Sequence, residues 1–154
     1  MNYVLELIRI FFNSLVSWSV CFKTLNSKKI IITSTQNISY NFNSKYLYEF
    51  LARNPERYGF DVYYVINCKE KRLKLNEKYK TNRFIDSTSL SGALFCLNAK
   101  YWVSSTFELP VNSLHRNKNR VVLHLGHGVP LKKIGLNEEN IPFLKRINRI
   151  IRTR

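Results

Sequence analysis

Cysteine is too scarce in this chain, and too scattered, to staple a fold. Three occur, Cys21, Cys68 and Cys96. An odd number without short-range pairing argues against a disulfide framework and offers no zinc-binding spacing. Such thiols fit a reduced, cytosolic protein that uses cysteine as a small apolar residue. Acidic residues are also few. Ten Asp and Glu stand against 25 Lys and Arg, a formal charge of +15. That excess favours an anionic partner: a lipid headgroup, a phosphate-bearing polymer, a nucleotide or a nucleic acid. There is no internal repeat and no low-complexity tract. A spanning helix would tolerate Glu6 and Arg9 poorly in the first apolar segment, and a signal peptide would start with cations.

What is present suits one compact domain. The chain has 154 residues and 45% apolar side chains, enough for a real core. Residues 2 to about 25 are the most apolar. On a helical wheel Asn2, Glu6, Arg9, Asn13 and Ser17 share one narrow stripe, and large apolar residues from Val4 to Trp18 cover the rest. This predicts an amphipathic helix over residues 1–27, lying in the inner membrane interface with Trp18 and the Lys23, Lys28 and Lys29 cluster near the headgroups. The alternative is a helix packed on the domain core.

Next comes an alternation of strands and helices. Apolar, β-branched or aromatic runs predict strands at Lys29–Ser34, Asp61–Ile66, Arg83–Ile85, Tyr101–Val103 and Val121–Leu125. A helix capped by Asn43 or Ser44 presents Leu47, Phe50 and Leu51 and stops before Pro55. Residues 69–80 read as a solvated helix or loop. Ser87–Asn98 places Leu90, Ala93, Leu94 and Leu97 at helical spacing. Phe107–Asn119 reads as a polar connection. Apolar strands separated by helices predict an α/β fold, a parallel sheet with helices on both faces, over residues 28–139. Residues 140–154 form a basic amphipathic tail, either packed on the sheet or facing a membrane.

The most informative stretch is Arg120–Leu136. Val121–Leu125 reads as a buried strand, and Gly126, Gly128 and Pro130 break it into a tight loop around His127. Lys132 and Lys133 follow. In an open α/β sheet ligands bind at the carboxyl ends of strands, where His127 and the pair Ser104 and Ser105 fall. An imidazole there, with open backbone and cations beside it, suits chemistry on a phosphate. A histidine in such a loop also serves as plain turn structure, and spacing alone does not separate the two.

Gly126–Gly135, Gly-His-Gly-Val-Pro-Leu-Lys-Lys-Ile-Gly, resembles the Trp-His-Gly-Thr-Pro-Leu-Lys-Lys-Leu-Gly signature of the CDP-glycerol glycerophosphotransferases. Asn43–Leu51 is similar to that family's Asn-(Ser/Pro)-Lys-x-(Leu/Ile)-Tyr-Glu-Tyr-Leu segment, and Ala99–Ser105 is a third, weaker match. The three occur in the family's order. Gly126 stands where the family has Trp, and Val129 where it has Thr.

The resemblance implies two Rossmann-like domains, as in type-B glycosyltransferases, with this chain the amino-terminal, acceptor-side half. His127 would be the general base. It would take a proton from an acceptor hydroxyl that attacks the glycerol-bearing phosphorus of CDP-glycerol, with CMP leaving. Gly126, Gly128, Lys132, Lys133, Ser104 and Ser105 are the candidate substrate contacts. No cofactor or metal is expected. The implied partners are a membrane-linked glycerol-phosphate acceptor of teichoic acid or capsule synthesis, an anionic membrane surface and a separately encoded carboxyl-terminal half. The implied place is peripheral, on the cytoplasmic face of a bacterial plasma membrane. The expectation is an incomplete half that transfers nothing alone.

Rival readings are a non-catalytic, membrane-docked module that holds an anionic polymer, and a nucleic-acid binder. The second is disfavoured, since no nucleic-acid motif is present and many aromatics fall in predicted strands or the first helix. A zinc hydrolase built on His115, His124 and His127 has no supporting Cys or carboxylate pair.

Overall fold

The computed structural model describes residues 3–126, and of Tyr3 and Glu6 the backbone alone. The elements run α1 (Tyr3–Val20), β1 (Asn26–Thr33), α2 (Phe42–Arg53), α3 (Pro55–Tyr58), β2 (Asp61–Val65), α4 (Lys69–Lys78), β3 (Phe84–Ile85), α5 (Leu90–Leu97), β4 (Ala99–Ser104) and β5 (Val121–His124). The five strands form one sheet in the order β3-β2-β1-β4-β5. Every neighbouring pair is parallel. This is the α/β, Rossmann-like layering that the sequence predicts. The chain leaves β1 in one direction to build β2 and β3, then returns to its other side for β4 and β5.

The central strands are apolar on both sides because both sides are covered. Ile31, Val65 and Trp102 point to one face, against Ala93, Cys96 and Leu97 of α5, with Val16 and Val20 of α1 packed beside them. Ile30, Ile32, Val62, Tyr64 and Val103 point to the other, against Tyr48 of α2 and, nearer the rim, Leu75 of α4. That second face is dense in aromatic rings. Tyr40 makes edge-on contacts with Tyr48, Tyr64, Tyr79 and Phe84 at centroid distances of 4.9–6.1 Å.

Four expectations need correction. Val121–Leu125 is a strand but not a buried one. Each of its side chains is exposed, because β5 lies at the sheet edge and pairs only with β4 among the described residues. Helix α2 starts at Phe42, two or three residues earlier than a cap at Asn43 or Ser44 implies. The Ser44 hydroxyl instead reaches the Thr33 carbonyl at 2.6 Å. Lys29 does not join a headgroup cluster. It is buried, with Nζ 3.7 Å from the Phe95 ring centroid and 3.1 Å from Asn98 Oδ1. Desolvation pulls its pKa down. Finally, the connection 107–119 is not simply polar. Leu109 and Val111 enter the core, and Thr33 Oγ1 and Asn37 Nδ2 donate to the Glu108 and Leu109 carbonyls at 2.7 and 2.8 Å.

The amphipathic helix is present, and it is turned outward. Its inner side carries Ile10, Ser14 and Ser17. The Ser17 hydroxyl donates to the His115 carbonyl, and Ser14 Oγ accepts from the Leu114 amide at 2.9 Å. The large apolar residues Val4, Leu5, Ile8, Phe11, Phe12, Leu15 and Trp18 face away from the sheet. Of the predicted polar stripe, Ser17 points inward and Arg9 is exposed. No described helix is long and apolar enough to cross a membrane.

Candidate functional site

The strand order reverses between β1 and β4, which opens a crevice at their carboxyl ends. Three polar positions meet there. Ser105, just past β4, is wholly buried. Its Oγ accepts from the Ser44 amide at 2.6 Å and lies 2.8 Å from Ser44 Oγ, which in turn accepts from the Ser105 amide at 2.8 Å. This reciprocal clasp ties the first turn of α2 to the end of β4, and the Thr33 carbonyl at the end of β1 completes it. The arrangement leaves no buried amide of the clasp unpaired, the condition for burying polar groups cheaply.

The clasp aims α2 at the crevice. The amino end of a helix carries partial positive charge, which favours phosphate oxygens nearby. Lys45 adds a cation in the same turn. Asn43, on that turn, donates from Nδ2 to the Gly126 carbonyl at 2.9 Å. The Leu125 amide donates to the Ser104 carbonyl at 2.7 Å, extending the β4–β5 pairing. So the peptide entering the Gly-His-Gly segment is held from two sides. Beside it His124 lies flat on Phe107, with ring centroids 4.6 Å apart and planes 13° off parallel.

Gly126 has φ +66, a left-handed conformation that strains a residue with a side chain. A Cβ there would meet nothing within 4 Å. The backbone, not the space, therefore favours glycine at the position where the family signature carries Trp.

Of the residues expected at the site, the structure brings Gly126, Ser104 and Ser105 to one crevice. The Ser104 hydroxyl bonds the Thr106 carbonyl and accepts from the Thr106 amide at 3.1 Å. Both serines thus spend their hydroxyls on shaping the loop. His127, Gly128, Lys132 and Lys133 lie outside the described residues, as does the tail 140–154. Asn43 was not singled out by sequence reasoning as a site residue, although the segment that contains it was; no spacing rule links positions 43 and 126. A separate cavity of about 370 Å3 lies between α2 and the segment that follows α4, at the opposite end of β2, lined in part by Glu49, Arg53, Lys80 and Arg83. It is remote from the crevice.

Comparison with known proteins agrees with the geometry. The family model for CDP-Glycerol:Poly(glycerophosphate) glycerophosphotransferase matches residues 15–153. A teichoic acid poly(glycerol phosphate) polymerase of Bacillus spizizenii is 27% identical over 144 residues, covering 92% of this chain and 35% of the relative. A solved structure of the wall teichoic acid polymerase TagF superposes with a TM-score of 0.67 at 15% identity, covering 98% of this chain and 36% of that one. The chain therefore spans about a third of the length of these relatives. The crevice at the strand reversal, the segment leading into Gly-His-Gly and the match over nearly the whole sequence agree, and the chain belongs to the CDP-glycerol:poly(glycerophosphate) glycerophosphotransferase family.

Proposed function

We propose that this chain supplies the acceptor-side lobe of a glycerophosphotransferase that moves glycerol phosphate from CDP-glycerol to a membrane-linked acceptor, releasing CMP. The observation that carries this reading is the bond from Asn43 to the Gly126 carbonyl. It fixes the entry to the family's histidine motif at the crevice rim, beside the amino end of α2. His127 follows directly in sequence. As general base it takes the proton of the acceptor hydroxyl while that oxygen attacks the glycerol-bearing phosphorus and the CMP oxygen departs. The helix end and Lys45 favour the phosphate oxygens on which charge gathers.

Membrane docking by α1 is part of the proposal. Its outward arc gathers several large apolar side chains on one continuous strip, which water opposes and an interfacial bilayer layer accepts. Residues 3–126 contain one sheet and no second nucleotide-binding lobe, so transfer requires donor-binding residues from elsewhere.

The test is incorporation of labelled glycerol from CDP-glycerol into a membrane-linked acceptor, with the full chain and the donor-binding lobe of a relative supplied together. Transfer is expected only from the pair, and His127→Ala should reduce it at least about a hundredfold. Undiminished transfer by the alanine variant, or CMP release by this chain alone, would overturn the reading.

A further inference from the structure

A second cationic site lies far from the crevice. Arg116, Asn117, Lys118, Arg120 and Val122 line a cavity of about 360 Å3 at the start of β5. Along the strand it is about 20 Å from Gly126, at roughly 3.3 Å per residue. Three cations share it, and none of them forms an ion pair among the described residues. Such a concentration of like charge is unfavourable unless an anion completes it.

The three cations are held differently. Arg120 is built into the fold. Its guanidinium stacks 4.0 Å over Trp102, and Nε and Nη2 donate to the Ala99 and Leu97 carbonyls. Its remaining nitrogen, Nη1, is buried and has no hydrogen-bond partner among the described residues. A buried guanidinium N–H without an acceptor is costly and rare in a finished structure. Burial also depresses the pKa of Arg116, and Arg120 is brought down to about 10 by burial, with the nearby Arg116 charge adding to the effect. Arg116 and Lys118 make no hydrogen bond among the described residues, so their donors are available.

The position of the cavity narrows the ligand. Segment 113–117 is stitched to α1 through Ser14, Ser17 and the Lys23 carbonyl, which accepts from Asn117 Nδ2 at 2.8 Å. Leu114, on the same segment, is exposed beside that apolar helix. Val122 shares the sheet face of Trp102, the face that α1 covers. The cavity therefore opens beside the segment that carries the outward apolar arc. We propose that Arg116, Lys118 and Arg120 form an oxyanion site for a phosphate ester, filled by the headgroup phosphate of an anionic glycerophospholipid when α1 lies in the interface. The oxyanion chemistry rests on the cavity itself, and its lipid source rests on the docking of α1 proposed above.

The experiment compares the full chain with Arg116→Ala/Lys118→Ala, and with Lys71→Ala/Lys74→Ala, which removes the same charge from the exposed side of α4 on the opposite sheet face. Two probes are used: vesicles rich in phosphatidylglycerol, and glycerol 3-phosphate in solution. The cavity pair should weaken vesicle binding about tenfold or more, and the α4 pair less than about threefold. A Phe11→Ser/Trp18→Ser variant should lose the vesicles yet keep glycerol 3-phosphate, which separates failure of docking from failure of the site. Loss of soluble phosphate binding alone in the cavity variant would keep the oxyanion site and reassign its ligand to a soluble phosphate ester. Equal weakening by the two lysine and arginine pairs, or no response of either probe to the cavity pair, would overturn the proposal. Arg116 and Lys118 make no hydrogen bond or ion pair among the described residues, so the cavity variant should keep the wild-type circular dichroism spectrum.

Discussion

The two faces of the sheet are completed by different means. On the α2 and α4 side, Tyr40, Tyr48, Tyr64, Tyr79 and Phe84 interlock in edge-to-face and tilted pairs, and the layer closes on itself. On the α1 and α5 side, small residues and serine hydroxyls seat the first helix, whose large side chains point away from the protein. The first face is a finished core. The second leaves the apolar arc of α1 exposed. A hydrophobic residue is thus no guide to the interior by itself; the position of its backbone against the sheet decides.

The sharpest way to break this comparison is to attack each face in turn. Phe84 is nearly fully buried and touches four tyrosine rings, so Phe84→Ala should cost about 3–5 kcal/mol in urea unfolding. On the other face, Ser17→Ala together with Ser14→Ala removes the bonds to the His115 carbonyl and the Leu114 amide. Each group left unpaired costs about 1–3 kcal/mol if it stays dry. The pair should therefore speed amide exchange in α1 and residues 113–117 while α2 and α4 keep their protection. If exchange rises uniformly, α1 is an integral part of the core and the contrast fails.

Acid offers a gentler probe of the aromatic face. Glu49 accepts from the Tyr79 hydroxyl at 2.9 Å and the Tyr40 hydroxyl at 3.2 Å. The Tyr79 bond is the chief reason that its carboxyl titrates below the usual range, against the opposing effect of burial. A depressed folded-state value means that its stabilisation is present above the unfolded value, about 4.3, and is lost as pH falls through the lower folded value. Glu49→Gln should lower stability in the neutral region, flatten the acid limb of the profile, and meet the parent curve once pH is below the folded value. The smallest effect should come from the outward arc. Phe11→Ser should alter unfolding free energy by no more than about 0.5 kcal/mol, because the ring already faces solvent. A large loss there would mean that the exposed arc stabilises the fold itself.

Much of this architecture was legible in the residues. Ile30–Ile32, Val62–Val65 and Trp102–Val103 announce strands because a doubly covered sheet needs apolar side chains at odd and even positions alike. The edge position of β5 was not legible, since Val121–Leu123 looks the same whether one side is covered or both. The helical wheel finds an arc on α1 but carries no information on which side meets the sheet. The clasp of Ser44 and Ser105 joins positions 61 residues apart, and no local pattern encodes it. Arg120 reads as one more surface cation until Trp102 is found beneath it.

The stitching of α1 to the lobe uses two peptide groups of the lobe, the Leu114 amide and the His115 carbonyl; just beyond the helix the Lys23 carbonyl accepts from the Asn117 side chain. Peptide groups survive point mutation. Sequence drift at positions 114 and 115 can therefore proceed without turning the helix, so long as Ser14 and Ser17 persist. Loss or gain of one residue within α1 is another matter, since each residue advances the helix by about 100°. A single-codon deletion between Val4 and Ile10 would rotate the amino-terminal part of the arc away from the part that ends at Trp18.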